Sequence, residues 1–311
     1  MSYRQNPQPP LPKATLVTTT TTKIAAATII PLAATTLFTT THHTAHADTI
    51  NAGDKYVAIG DSYASTGTLN QPTFGSHPAC VQDQDNYPHQ LARQLNLTLD
   101  DASCAWAFTY QYDQPQNHAL PYTAPTPQKD HITNDTKLIT ISMGGNDAGL
   151  ADIAVQCDPR IHIPGLPDCA DKAQQIAHNK ITNPDSAGRT LQQRLIDIAN
   201  DAKRRAPQAK IIFTGYYTAA VRDHRCIDDG FLSDRDRAFL ESYAQQINTV
   251  IETAAQQTSS TYIAPPDQPE GWCSQPFERN SNYFGIPEGN LIAHPTHAGQ
   301  QHMAQAIANH L

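Results

Sequence analysis

Five short apolar runs punctuate the chain after residue 54: 55–59 (KYVAI), 97–99, 137–143 (KLITISM), 210–214 (KIIFT) and 261–264. Runs this short and this uniformly apolar suit strands buried on both faces of a parallel sheet, not the alternating strands of a half-exposed one. Between them, apolar residues recur at helical spacing. Residues 87–95 carry Pro88 in the first turn, where a missing N–H does no harm, and 186–205 place Leu191, Leu195, Ile198 and Ala202 on one face before Pro207. Residues 234–258 predict a second long amphipathic helix, and 297–311 a terminal one with Met303, Ile307 and Leu311 aligned. Strands separated by helices, with no internal repeat, predict one α/β domain: a doubly wound five-stranded parallel sheet in a three-layer α/β/α arrangement.

Four stretches follow neither period. Residues 70–86, 157–169 and 265–289 read as irregular excursions, the middle one with three prolines between two cysteines. Residues 108–135, rich in Pro, Gln, His and Tyr, predict a long surface loop or irregular crossover near a substrate entrance.

The first 47 residues stand apart. Arg4, Lys13 and Lys23 precede an apolar run of 15 residues, 24–38, broken by Pro31, and Ala45-His46-Ala47 offers a small-x-small cleavage pattern. This predicts a secretory signal segment over 1–47, cleaved before Asp48, and a functional domain over 48–311 with no stable membrane anchor; a span needs ~20 apolar residues. Removing the segment takes three basic and no acidic residues, leaving 18 basic against 29 acidic and a formal charge of −11. Nucleic acid and anionic membrane surfaces are poor partners for such a chain.

All six cysteines, Cys80, Cys104, Cys157, Cys169, Cys226 and Cys273, lie in the exported part. An even count in an exported chain implies disulfides, and loop entropy weakly favours sequence neighbours among the 15 pairings open to six cysteines. No CxxC or zinc-ligand spacing occurs among them, and neither metal nor organic cofactor is expected.

Three turns carry the candidate chemistry. Gly60-Asp61-Ser62 follows the first strand, Gly144-Gly145-Asn146-Asp147 follows the third, and His294-Pro295-Thr296 precedes the last helix. In a doubly wound sheet the carboxyl ends of the strands share one edge, so Ser62, Asn146 and His294 can meet there. A hydroxyl to attack, an imidazole to take its proton, and N–H donors from the Ser62 backbone and the Asn146 amide are what ester hydrolysis requires. Asp61 and Asp147 are expected to be structural, Asp147 as a cap, with Tyr216 and Tyr217 in packing roles and Trp272 against a disulfide. His297 and His302, near His294, lack the carboxylate or cysteine partners of a metal site.

With these blocks the chain resembles the SGNH, or GDSL-type, hydrolase superfamily, and within it the exported actinobacterial lipase/esterase branch, from about Lys55 to the end. The resemblance implies a flavodoxin-like sheet order, Ser62 as nucleophile, His294 as general acid and base, and three sequential disulfides. It also exposes two departures. Where that branch places an oxyanion-hole glycine, Ser103-Cys104-Ala105-Trp106-Ala107 puts Trp106, whose backbone N–H would be the third donor. Where many members have Asp three residues before the histidine, this chain has Leu291. The expectation is a Ser62–His294 dyad with the Leu291 carbonyl orienting the imidazole, Glu288 being the side-chain alternative.

Together these readings predict a secreted, monomeric carboxylic ester hydrolase acting on lipid or other acyl esters. The alternatives are O-deacetylation of a polysaccharide, and a non-catalytic envelope-binding protein that has lost a competent oxyanion hole.

Overall fold

The computed structural model describes residues 49–116, 125–160, 167–218, 220–221 and 223–311. The signal segment and its cleavage point lie outside these residues. Among the described residues no helix is long and apolar enough to cross a membrane.

Strands β1 (Lys55–Gly60), β2 (Thr98–Asp101), β3 (Thr136–Ser142), β4 (Lys210–Thr214) and β5 (Thr261–Ile263) form one sheet in the order β2-β1-β3-β4-β5, every pairing parallel. The order reverses between β1 and β3, and the crevice beyond their carboxyl ends is where such sheets bind ligands. Side-chain alternation sorts the core into two layers. Val57, Ile59, Ile139, Ile141, Ile211 and Phe213 face helices α5 (Ala170–Thr182), α6 (Leu191–Arg205) and α7 (Asp234–Gln257). Tyr56, Ala58, Leu138 and Ile212 face α2 (Tyr87–Leu95) and α8 (His297–Ala308), which bring Leu91, Met303 and Ile307. Each of the valine, leucine, isoleucine, methionine and phenylalanine side chains among them, fully buried, contributes about 1.5–3 kcal/mol.

Helix α6 begins at Leu191 instead of Ser186, because Thr190 caps it by accepting the Gln193 N–H and residues 185–189 close a turn on the Asp185 carboxylate. Helix α5 escapes the periodicity reading because its buried face is alanine: Ala170, Ala173 and Ala177. In the stretch 108–135, the described parts hold two 3-10 turns, Thr109–Tyr112 and Gln128–His131. The second is no surface loop. Gln128 is buried, and its side-chain amide donates to the Gly60 carbonyl and accepts from the Gly60 N–H, at 2.9 and 2.8 Å. Three disulfides join sequence neighbours: Cys80–Cys104, Cys157–Cys169 and Cys226–Cys273.

Candidate active site

Packing of β1 against β3 decides how the first strand ends. A Cβ at Gly60 would sit 2.6 Å from the Ser142 carbonyl oxygen, so only glycine fits. The chain then turns through Asp61, whose side chain caps the one-turn helix α1 (Ser62–Ser65) by accepting the Tyr63 N–H at 2.9 Å. Ser62 is the first residue of that turn.

After β3 the chain swings through Gly144, at φ +117°, into helix α3 (Gly145–Ala148). A Cβ on Gly145 would lie 2.6 Å from the Tyr216 ring, which packs where a side chain would otherwise project. Asn146, second in α3, donates from Nδ2 to the Ala107 carbonyl at 2.9 Å, leaving its other amide proton for a ligand. Asp147 does not cap its own turn. Its carboxylate accepts the Thr109 N–H at 2.8 Å and the Thr109 hydroxyl at 2.6 Å and pairs with Arg194, so it ties the segment after Trp106 to α6.

The imidazole arrives on a two-stranded antiparallel ribbon, β6 (Ser281–Asn282) with β7 (His294–Pro295). His294 Nε2 lies 2.7 Å from Ser62 Oγ. Its Nδ1 lies 2.7 Å from the carbonyl oxygen of Ile292, which corrects both expectations for the orienting group. The Leu291 carbonyl is occupied: it accepts the His294 backbone N–H at 3.2 Å and the Asn290 amide at 2.9 Å. Ala293, at φ +57°, turns the chain so that the next carbonyl faces the ring. Glu288 is buried elsewhere, accepting from Arg279 at 2.6 Å, Asn282 at 2.6 Å and the Phe277 N–H at 3.1 Å. Burial would raise its pKa, but the Arg279 guanidinium outweighs that and holds the carboxyl below its usual range.

Desolvation holds the His294 pKa below its ordinary value, against a smaller opposing effect of the Ile292 carbonyl. A carbonyl only accepts, so Nδ1 carries the proton and Nε2 turns its lone pair to the Ser62 hydroxyl. Beneath the serine, Asp61 is almost wholly buried and burial pushes its carboxyl up to about 7. Tyr216 donates to Asp61 Oδ2 at 2.5 Å and accepts the Gly145 N–H at 2.8 Å, a polar link between the first two turns beyond the packing role expected for it. Tyr63, the residue after the serine, donates to the Ala293 carbonyl at 3.0 Å and so ties the first turn to the third.

Trp106 occupies the left-handed region, at φ +68°, where glycine is at ease and a tryptophan is strained. Its indole is 61% exposed at the mouth of a cavity of about 310 Å³ that also contains Ser62, Asn146 and His294. Helix α4 (Leu150–Gln156) lines the cavity with Leu150, Ala151, Ala154 and Val155, and Ile292, Asp158, Arg160 and Tyr283 are also in the lining. His297 and His302 point elsewhere, to Asp85 at 3.3 Å and Asn280 at 2.6 Å. Trp272 donates to Asp229 at 2.7 Å in the interior.

A hydroxyl in contact with a neutral imidazole, at the switch point of a parallel sheet and under an apolar cavity, is an arrangement capable of nucleophilic acyl transfer. Its class is that of the α/β ester hydrolases. Residues 58–302 match the GDSL-like Lipase/Acylhydrolase family, and the chain belongs to that family of carboxylic ester hydrolases. It is similar to Lipase 2 of Streptomyces coelicolor, 28% identical over 276 residues that span 84% of this chain and 88% of the relative. Lipase 1 of the same organism is 26% identical over 83% of this chain and 86% of its own length. In fold the chain is similar to phospholipase A1 from Streptomyces albidoflavus NA297, with a TM-score of 0.63, 23% identity and coverage of 83% and 99% of the two chains.

Proposed function

We propose that the chain is a secreted serine esterase that cleaves acyl esters, lipid esters foremost, through an acyl-enzyme on Ser62. The observation that carries this reading is the 2.7 Å contact of Ser62 Oγ with His294 Nε2, while Nδ1 is held by the Ile292 carbonyl. Oγ attacks the ester carbonyl as Nε2 takes its proton. The oxyanion is met by the N–H groups of Ser62 and Trp106 and by the free Asn146 amide proton. The tetrahedral intermediate collapses, the alcohol departs with the proton from His294, and the ring then draws a proton from water as it attacks the acyl carbonyl, releasing the acid. No metal or organic cofactor takes part.

Apolar walls from α4 and Ile292 favour an acyl chain over a sugar. Labelling by a fluorophosphonate probe, lost in Ser62→Ala, tests the mechanism; folded protein that stays unlabelled overturns it. A series of p-nitrophenyl esters from acetate to palmitate tests the substrate class, with medium or long chains expected to exceed acetate in kcat/KM. Export is supported by the N-terminal segment and three disulfides, and is tested by whether protein recovered from culture medium begins at Asp48.

A further inference from the structure

Three large apolar side chains line the cavity and yet stand open to solvent at its mouth: Trp106 at 61% exposure, Val155 at 72% and Ile292 at 47%. Phe231, 55% exposed, is tied by its backbone N–H to the carbonyl of Pro159, which lies in sequence between the cavity residues Asp158 and Arg160. Single exposed apolar residues are ordinary; three of them lining one cavity are not. Trp106 adds a second sign, because its indole is displayed from a left-handed backbone that glycine would occupy without strain.

We propose that this rim docks onto the surface of aggregated zwitterionic lipid, with Trp106 as its anchor, so that the ester enters the cavity directly from the lipid phase. This rests on the esterase reading above for its purpose, though not for its test. Two observations choose the occupant. The rim residues are also cavity walls, so a protein partner or a second copy seated on them would close the opening through which substrate must pass, whereas a lipid layer is itself the source of substrate. The formal charge of −8 disfavours an anionic surface, and an indole suits the boundary between headgroups and acyl chains.

The chain has two tryptophans, and Trp272 is 2% exposed, so a lipid-dependent change in emission reports on Trp106. The experiment uses Ser62→Ala protein, which leaves the lipid intact and separates docking from hydrolysis. Titration with phosphatidylcholine vesicles is expected to shift the emission to the blue, and vesicles with brominated acyl chains are expected to quench it. Val155→Asp in the same background, on an exposed helix face, is expected to raise the lipid concentration at half-saturation by about tenfold, the equivalent of ~1.4 kcal/mol. Unchanged emission together with no co-flotation on phosphatidylcholine vesicles overturns the proposal. So does a shift that follows protein concentration without lipid, which would assign the rim to a second copy, or one confined to anionic vesicles. Failure of the parent protein, with Ser62 intact, to take the fluorophosphonate label while the Ser62→Ala protein still docks would fault the esterase reading alone.

Discussion

The imidazole of His294 leans on the carbonyl oxygen of Ile292, two residues earlier in its own chain, at 2.7 Å. A main-chain carbonyl can fix the ring and its tautomer as a carboxylate does. It carries no full charge, however, so it does little to stabilise the imidazolium that forms as Ser62 attacks. With desolvation also favouring the neutral ring, His294 is held below its ordinary pKa. The base must be neutral to accept the serine proton, so kcat/KM is expected to rise with pH through an inflection below 6.5 and then level off. A pH–rate profile on a soluble ester checks this; an acid limb centred above 6.5 would show that a negative group reaches the ring. His294→Ala is expected to cost on the order of 10²–10⁴ in kcat.

Glu288 serves the same loop in another way. Its carboxylate lies with Arg279, which Asp228 also contacts, and Asn282 links Glu288 to Asn290, whose amide donates to the His294 carbonyl at 2.9 Å. Glu288→Gln removes one of two charges facing a buried guanidinium. The expected result is a loss of about 2–4 kcal/mol of stability in urea unfolding, with kcat, measured well below the transition, changed less than tenfold. A fall of three orders of magnitude in kcat would return Glu288 to the role of orienting acid.

Much of the scaffold was legible because the signals were strong where the sheet is buried. The bounds of β4 and α2 follow from uninterrupted apolar or helical spacing, and the three chemical turns follow from position after two strands and before the last helix. The misses have local causes. Strand β2 runs on through Asp100 and Asp101, which look like turn residues; pairing with β1 and contacts from His131, Asn86 and Ser103 make them tolerable in a strand. The orienting carbonyl fell one residue from its expected place because the positive φ of Ala293 has no signature in an alanine.

Asp61 gives stability a pH dependence of determinate sign. Its folded-state pKa is raised by burial to about 7, from an ordinary value of 3.8. Between these values the unfolded chain has lost a proton that the folded chain keeps, so this group's contribution is complete below the lower value and declines as pH climbs to about 7. Asp61→Asn is expected to be less stable than the parent at pH 5, because its amide cannot both satisfy the Tyr216 hydroxyl and keep the existing bond pattern. The difference should shrink toward pH 8. Chemical unfolding of both proteins across that range measures it, and a gap that widens with pH would contradict the proton-holding role.

Asn146 separates its two amide protons between structure and chemistry. One goes to the Ala107 carbonyl, and the other is left in the cavity that Asn146 and Ser62 both line. Asn146→Ala is therefore expected to lower kcat by about 10²–10³ with little change in KM, the pattern of a donor used mainly in the transition state. A rise in KM at unchanged kcat would make Asn146 a ground-state binding residue.

Trp106 combines a backbone role with a side-chain role, and two substitutions divide them. Trp106→Ala removes the indole but leaves a Cβ at φ +68°, whereas Trp106→Gly removes the indole and the steric strain together. Relief of a left-handed conformation is worth roughly 1–2 kcal/mol, and the added freedom of glycine in the unfolded chain gives back about 0.5–1 kcal/mol. The glycine variant should thus exceed the alanine variant in stability by up to about 1.5 kcal/mol in denaturant unfolding. Both keep a backbone N–H at this position, so if the N–H serves the oxyanion while the indole serves the rim, both variants should keep kcat on a short soluble ester within about tenfold of the parent. A loss of 10² or more in the alanine variant that glycine restores would mean that the strained geometry, and not the indole, is what sets the donor.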